Sequence, residues 1–198
     1  TVPTNSNMSE AGLLVNYVYL DTDERRRFAQ VSHEYLIEQV QHTGVENVSS
    51  GAKGGAGRVD MNFNHPVKAL FWKTTDGKNF LDKVKLQLNG HDRFSEQDAD
   101  YFHLVQPYET GLGNGHSMTA TRTWGALKQC DENNSVAMYS FCLKPGEHQP
   151  SGTCNFSRID NARLNLSGNT DSDAANVFAL NYNVLRIMSG MGGLTYSN

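Results

Sequence analysis

Apolar and polar residues alternate with a period of two along much of this chain. Val59, Met61 and Phe63 interleave with Arg58, Asp60 and Asn62, and Val84, Leu86 and Leu88 with Lys83, Lys85 and Gln87. Tyr139, Phe141 and Leu143 interleave with Ser140, Cys142 and Lys144. Side chains on a strand point alternately to its two faces, so this pattern predicts half-buried strands over Arg58–Asn64, Leu81–Leu88 and Tyr139–Leu143. Val67–Lys73, Ile159–Leu166 and Val177–Met188 add strands, the last apolar enough for burial on both faces. Leu13–Leu20 (LLVNYVYL) reads as a strand from its β-branched and aromatic content. Asp21–Gln30 breaks the period. Asp21 or Thr22 can cap a helix there, with Asp23 and Glu24 in its first turn and Arg25, Arg26 and Arg27 following. His33–His42 fits either state, and local propensity mildly favours helix. Glu96–Leu104 has the composition for a short helix.

Turn signals punctuate these runs. Asn89-Gly90 and Thr75-Asp76-Gly77-Lys78 are hairpin signatures, and Ser189-Gly190 bends the chain after its last long strand. Lys144-Pro145-Gly146-Glu147 and Gln149-Pro150-Ser151-Gly152 place two bends inside Tyr139–Asn161, with Thr153–Asp160 extended after them. Val45–Gly57 reads as a Gly- and Ser-rich loop, and Val105–Ser135 as a long connection. The residue-level reading is all-β: a sandwich of about eight strands, the jelly-roll number.

Composition narrows the function. The chain has 198 residues, a net charge of -4 and a mean hydropathy of -0.54. That charge has the wrong sign for nucleic-acid binding by the whole surface, and the arginine run beside acids reads as a solvated helix face. No apolar run reaches the roughly 18 residues of a membrane span. Cys130, Cys142 and Cys154 are odd in number and widely spaced, so reduced thiols are expected. Seven histidines occur without HxH or HExxH spacing. There is no GxSxG elbow, and Gly190–Gly193 lacks the Lys-Ser/Thr of a phosphate loop. The expectation is no catalytic residue, no metal and no cofactor. Sequons occur at Asn7, Asn47, Asn133, Asn155 and Asn165, and those at Asn47 and Asn133 fall in predicted loops, making them the glycosylation candidates. Two rival functions use the same architecture. A carbohydrate-binding jelly roll would need an aromatic platform, for which Trp72, Trp124 and Tyr108 are candidates. A metal-dependent cupin-type enzyme would need converging histidines.

Several longer stretches carry a family resemblance. They are Leu20–Gln30 (LDTDERRRFAQ), His33–Gln41 (HEYLIEQVQ), Phe63–Pro66 (FNHP), Leu88–Phe94 (LNGHDRF), Val105–Tyr108 (VQPY), Tyr139–Asn161 and Asn181–Asn198. In that order they resemble the second jelly roll of the major capsid proteins of nucleocytoplasmic large DNA viruses, above all of chlorella viruses and iridoviruses. The resemblance implies a strand over His33–His42. It implies that residues 1–31 are the last strand and connecting helix of a first jelly roll, and that residues 32–198 are the second. Thr1–Gly12 then reads as a linker or cut end, and Leu13–Leu20, without its sheet, should fray or borrow an edge. The implied function is structural: a homotrimer of double jelly rolls tiling an icosahedral shell as a pseudo-hexagon. Its expected partners are neighbouring capsomers and minor capsid proteins, with no direct nucleic-acid contact and no membrane insertion. Its expected place is the virion, and the host cytoplasm during assembly.

Overall fold

The structure, a computed structural model, describes residues 12–47, 56–74, 83–112, 136–167 and 174–196. Among the described residues eleven strand segments, where the sequence suggested about eight, form two antiparallel sheets. They are β1 (His33–Asn47), β2 (Ala56–Met61), β3 (Pro66–Thr74), β4 (Lys83–Leu88), β5 (His91–Asp92) and β6 (Gln97–Asp98). β7 (Ala137–Ser140), β8 (Cys154–Asn155), β9 (Ala162–Ser167), β10 (Ala174–Met188) and β11 (Met191–Leu194) follow. One sheet runs β1-β10-β3-β7, with β11 added to β10 and β8 to β3. The other runs β2-β9-β4-β5, with β6 added to β4. Strands β1 to β4 alternate between the sheets and β10 returns between β1 and β3, the winding of a jelly roll.

The alternation read from sequence packs the interior. Val59, Val84, Leu86, Leu164 and Leu166 from one sheet meet Val67, Leu70, Trp72 and Val177 from the other, all nearly inaccessible. Trp72 lies 5.2 Å from the Phe102 ring. β1 shows why local propensity lost at His33–His42: the strand pairs with β10 from His33↔Ile187 to Asn47↔Ala174, a ladder no isolated helix could outweigh.

Register also separates the two ends of the sandwich. Asn47 and Thr74 lie beside the start of β10, Trp72 faces Ala137, and Ser167 pairs with both Ala56 and Lys83. The strand ends flanking 48–55, 75–82, 113–135 and 168–173 therefore gather at one end. The other end holds tight, hydrogen-bonded turns. Asn89 (φ 51°) and Gly90 (φ 80°) both take positive φ, as a two-residue hairpin between β4 and β5 requires. The Asn89 side chain accepts from the amides of Asp160 (2.9 Å) and Asn161 (3.2 Å), tying that turn to the approach to β9. Ser189 and Gly190 make the equivalent turn into β11. Gln41 brackets the backbone of Asn64, donating to its carbonyl and accepting from its amide.

Several expectations need correction. Leu13–Leu20 forms no strand: Leu14 is wholly exposed, as nearly is Tyr19, because none of the described strands pairs with it. Helix α1 (Thr22–Gln30) forms as expected, with the Asp21 carboxylate accepting from the Thr22 amide. Arg26 lies 3.6 Å from Asp23 on its exposed surface. The Asp76-Gly77 signal does not join paired strands, since β3 and β4 lie in different sheets, and residues 75–82 are outside the described ones. The strand over Tyr139–Leu143 stops at Ser140, whose hydroxyl accepts from the Cys142 amide (3.2 Å) and donates to the Cys142 carbonyl (2.6 Å). That local turn swings Cys142 inward and leaves Leu143 exposed. Thr153–Asp160 is only briefly extended before a 3-10 turn at Phe156–Arg158. The helix expected at Glu96–Leu104 comes later, as a π-turn (Tyr101–Val105) running into α2 (Gln106–Glu109). Val45–Gly57 is a loop only in part, because β1 extends through Asn47 and β2 begins at Ala56.

Candidate assembly surfaces

The two outer faces of the sandwich are chemically unlike. On the β2-β9-β4 sheet the outward side chains are Arg58, Asp60, Arg163, Asn165, Lys85 and Gln87, every one polar. They are knit together: Asp60 accepts from Arg163 (2.9 Å) and pairs with Arg58 (3.4 Å), and Gln87 receives Asn165 (2.9 Å). Asp92 takes the Gln87 amide at 2.7 Å and Lys85 at 3.3 Å. The Gln87 hydrogen bond, aided by Lys85 against some burial, lowers the Asp92 pKa.

The outer face of β1 and β10 reads differently. Its cross-strand pairs run Glu34↔Arg186, Leu36↔Val184, Glu38↔Tyr182, Val40↔Leu180 and His42↔Phe178. Leu36 is 54% and Val40 66% exposed, and the His42 and Phe178 rings stack at 4.4 Å. Two of these five pairs, Leu36↔Val184 and Val40↔Leu180, are apolar on both sides, and exposed apolar pairs on the solvent side of an antiparallel sheet mark contact surfaces. Toward β3 the strip is bounded by the turn at Lys144–His148.

That turn is held by one cation. Lys68 sits at a bulge, between the pairs Val67↔Asn181 and Ala69↔Leu180, and is 1% exposed. Its ammonium donates to Glu38 Oε1 (2.5 Å) and to the Glu147 carbonyl (3.2 Å), and lies 4.9 Å from the centre of the Tyr182 ring. One side chain therefore ties β1, β3, β10 and the turn together. Burial pulls the Lys68 pKa down, but the Glu38 carboxylate and the Tyr182 side chain outweigh it and the net shift is upward. Lys144 reinforces the turn from the surface by pairing with Glu147 at 3.0 Å. Sequence reasoning passed over this cluster. The one available signal was a lone lysine inside the apolar run Val67–Trp72.

The residues singled out from sequence fare unequally. Asn47 is the last residue of β1 rather than a loop residue, and Asn133 lies outside the described residues. The other described sequons are engaged: Asn155 accepts from the Ser157 amide, and Asn165 donates to Gln87. Trp72 is buried in the core and cannot form a sugar platform; Tyr108 is exposed on α2, and Trp124 is outside the described residues. The cupin alternative needs converging ligands, and among the described residues no three His, Cys, Asp or Glu side chains are grouped to hold a metal. Cys142 and Cys154 are free thiols, and Cys130 lies outside the described residues. Among the described residues no helix is long and apolar enough to cross a membrane.

Strand order and the two-sheet winding define a jelly-roll sandwich. A family model described as large eukaryotic DNA virus major capsid protein matches residues 24–80 and 73–193. The chain belongs to that family, whose members are structural proteins rather than enzymes and components of the virion. It is 51% identical over 208 residues to the major capsid protein of Pyramimonas orientalis virus, covering 98% of this chain and 51% of the relative. It is 39% identical over 249 residues to that of Paramecium bursaria Chlorella virus 1, covering 93% and 53%. Among solved structures, a chain of the PBCV-1 virus capsid quasi-atomic model superposes with a TM-score of 0.70 at 36% identity, covering 92% of this chain and 56% of that one. The chain thus spans about half the length of the curated relatives it matches.

Proposed function

We propose that this chain is the C-terminal half of a capsid-building polypeptide. In this reading residues 1–31 carry the last strand and linker helix of a preceding jelly roll, and residues 32–198 are the second. Three copies form a capsomer with six similar sandwiches, which packs against neighbouring capsomers and minor capsid proteins. It assembles in the host cytoplasm without contacting nucleic acid or inserting into a membrane. The observation that carries this reading is the contrast between the sandwich's two walls: a polar network on the β2-β9-β4 face, and exposed apolar pairs, Leu36↔Val184 and Val40↔Leu180, on the β1-β10 face. Leu13–Leu20 fits as a strand separated from its sheet, being strongly apolar and exposed. Asn47, the last residue of β1, and Asn133 remain the candidates for glycans. Sedimentation of the full-length protein tests the proposal: a trimer is expected, and a monomer persisting at high concentration would refute it. Peptide mapping of virion protein tests the two asparagines, and unmodified Asn47 and Asn133 would remove them.

A further inference from the structure

Strands β7 and β8 lie on the same side of β3, end to end. Ser140 pairs with Ala69, the Phe141 amide donates to the Lys68 carbonyl (2.9 Å), and Cys154 and Asn155 pair with Val67 and Pro66. Along β3 they are therefore one strand in continuous register, and residues 142–153 are an excursion from it. The two ends of the excursion meet. A Cβ on Gly152, whose φ is 137°, would lie 3.1 Å from the Phe141 carbonyl oxygen and 3.3 Å from the Cys142 Cα, an approach that calls for glycine. Between its ends the excursion bonds to itself. The Lys144 amide donates to the Ser151 hydroxyl (3.0 Å), the Glu147 amide to the Lys144 carbonyl (3.3 Å), and the Lys144 ammonium to the Glu147 carboxylate (3.0 Å). Most of its side chains face water, Leu143 among them, while Cys142 and Pro145 are buried.

What lays the excursion against the sheet is the Lys68 ammonium, which donates both to the Glu147 carbonyl and to the Glu38 carboxylate. His148 stands 3.9 Å from the same carboxylate but is itself fully exposed. We infer that residues 142–153 form a strap that opens as a unit while the sandwich stays folded, with the Lys68–Glu38 pair as its latch. The backbone ladder of β3 with β7 and β8 does not run through the strap, so opening breaks a local turn and the latch and leaves the sheet paired. The Glu38 carboxylate decides the balance. An ammonium without its counter-ion is costly beneath the closed strap and hydrates freely once the strap lifts, so loss of that charge favours the open form. Opening uncovers Lys68 and Cys142 and admits water to Tyr182, which pairs with Glu38 one step along from the exposed Val40. The strap thus sets how much of the β1-β10 wall is presented.

Thiol alkylation of the full-length protein, resolved peptide by peptide by mass spectrometry, reads the opening. Cys142 lies in the strap and reports on it, and Cys154 in β8 is the internal control. Three proteins are compared: the parent, Glu38→Gln, and Glu34→Gln, which removes the exposed pair with Arg186 on the same strand. Glu38→Gln should label Cys142 roughly ten-fold faster or more and leave the Cys154 rate unchanged, and Glu34→Gln should alter neither. An unchanged Cys142 rate in Glu38→Gln overturns the inference. So does acceleration of both thiols together, which would mean that the sheet loosens as a whole. A second variant, with 142–153 replaced by Gly-Gly, should fold and keep the β3 and β10 amides as protected from hydrogen exchange as in the parent. Loss of that protection also overturns the inference, and this variant decides alone if Glu38→Gln does not fold.

Discussion

Removing either partner of the Lys68–Glu38 pair should have unequal effects, and the inequality follows from where each sits. Lys68 is 1% exposed, whereas the Glu38 side chain keeps 28% of its surface in water. Glu38→Ala strands a buried ammonium with only the Glu147 carbonyl and the Tyr182 ring for company. Breaking a fully buried pair costs roughly 3–5 kcal/mol; Glu38's partial exposure reduces this to about 2–3 kcal/mol. Lys68→Met leaves a carboxylate that can rehydrate and replaces the lysine stem by an apolar chain of similar length. Its cost should be about 1 kcal/mol or less. For a domain of this size the difference corresponds to roughly 3–8 °C in melting temperature. Urea unfolding of both variants at pH 7 measures it. A second arm uses pH. The Lys68 pKa is raised on folding, so its contribution is complete below the unfolded value near 10.5 and is lost as pH climbs through the higher folded value. The parent should therefore lose its advantage over Lys68→Met only at strongly alkaline pH. Tyr139, whose pKa burial also raises, is common to both proteins and cancels in the difference. The reasoning fails if Lys68→Met destabilises as much as Glu38→Ala, or if the advantage disappears on acidification through neutrality.

Other substitutions probe the remaining parts. Trp72→Ala should cost about 3–5 kcal/mol, since the ring is buried against Phe102, and chemical denaturation reads the loss directly. Asn89→Ala removes an acceptor for two amides at a φ of 51°, and should lower stability by about 1–2 kcal/mol; Asn89→Gly relieves the backbone alone and should recover only part. Burial raises the Cys154 thiol pKa above its usual value of 9.0. Alkylation of native Cys154 at pH 8 should thus be at least about ten-fold slower than in urea, as mass spectrometry would show.

Much of the fold could be read from the period-two pattern, because alternation at Val59–Phe63 and Val84–Leu88 reports directly which face is buried. Pairing could not be read that way. His33–His42 has helical propensity and becomes a strand only because β10 lies beside it, and that ladder spans about 140 residues of sequence. Leu13–Leu20 is the converse case, rich in strand-forming residues and unpaired among the described strands. At Ser140 a hydroxyl bonding two residues ahead ends a pattern that looked continuous through Leu143. The apolar strip was hidden for a related reason. Leu36 and Val40 flank Glu38 in a run that looks equally suited to a helix, and only the register shows them facing Val184 and Leu180 on the solvent side.

The polar lattice of Arg58, Asp60, Arg163, Asn165 and Gln87 has a consequence for fidelity. A brick presented back to front would have to strip water from charges already satisfied by one another, gaining nothing in exchange. In the proposed assembly, wrongly oriented encounters would then dissociate quickly and be discarded by a growing shell.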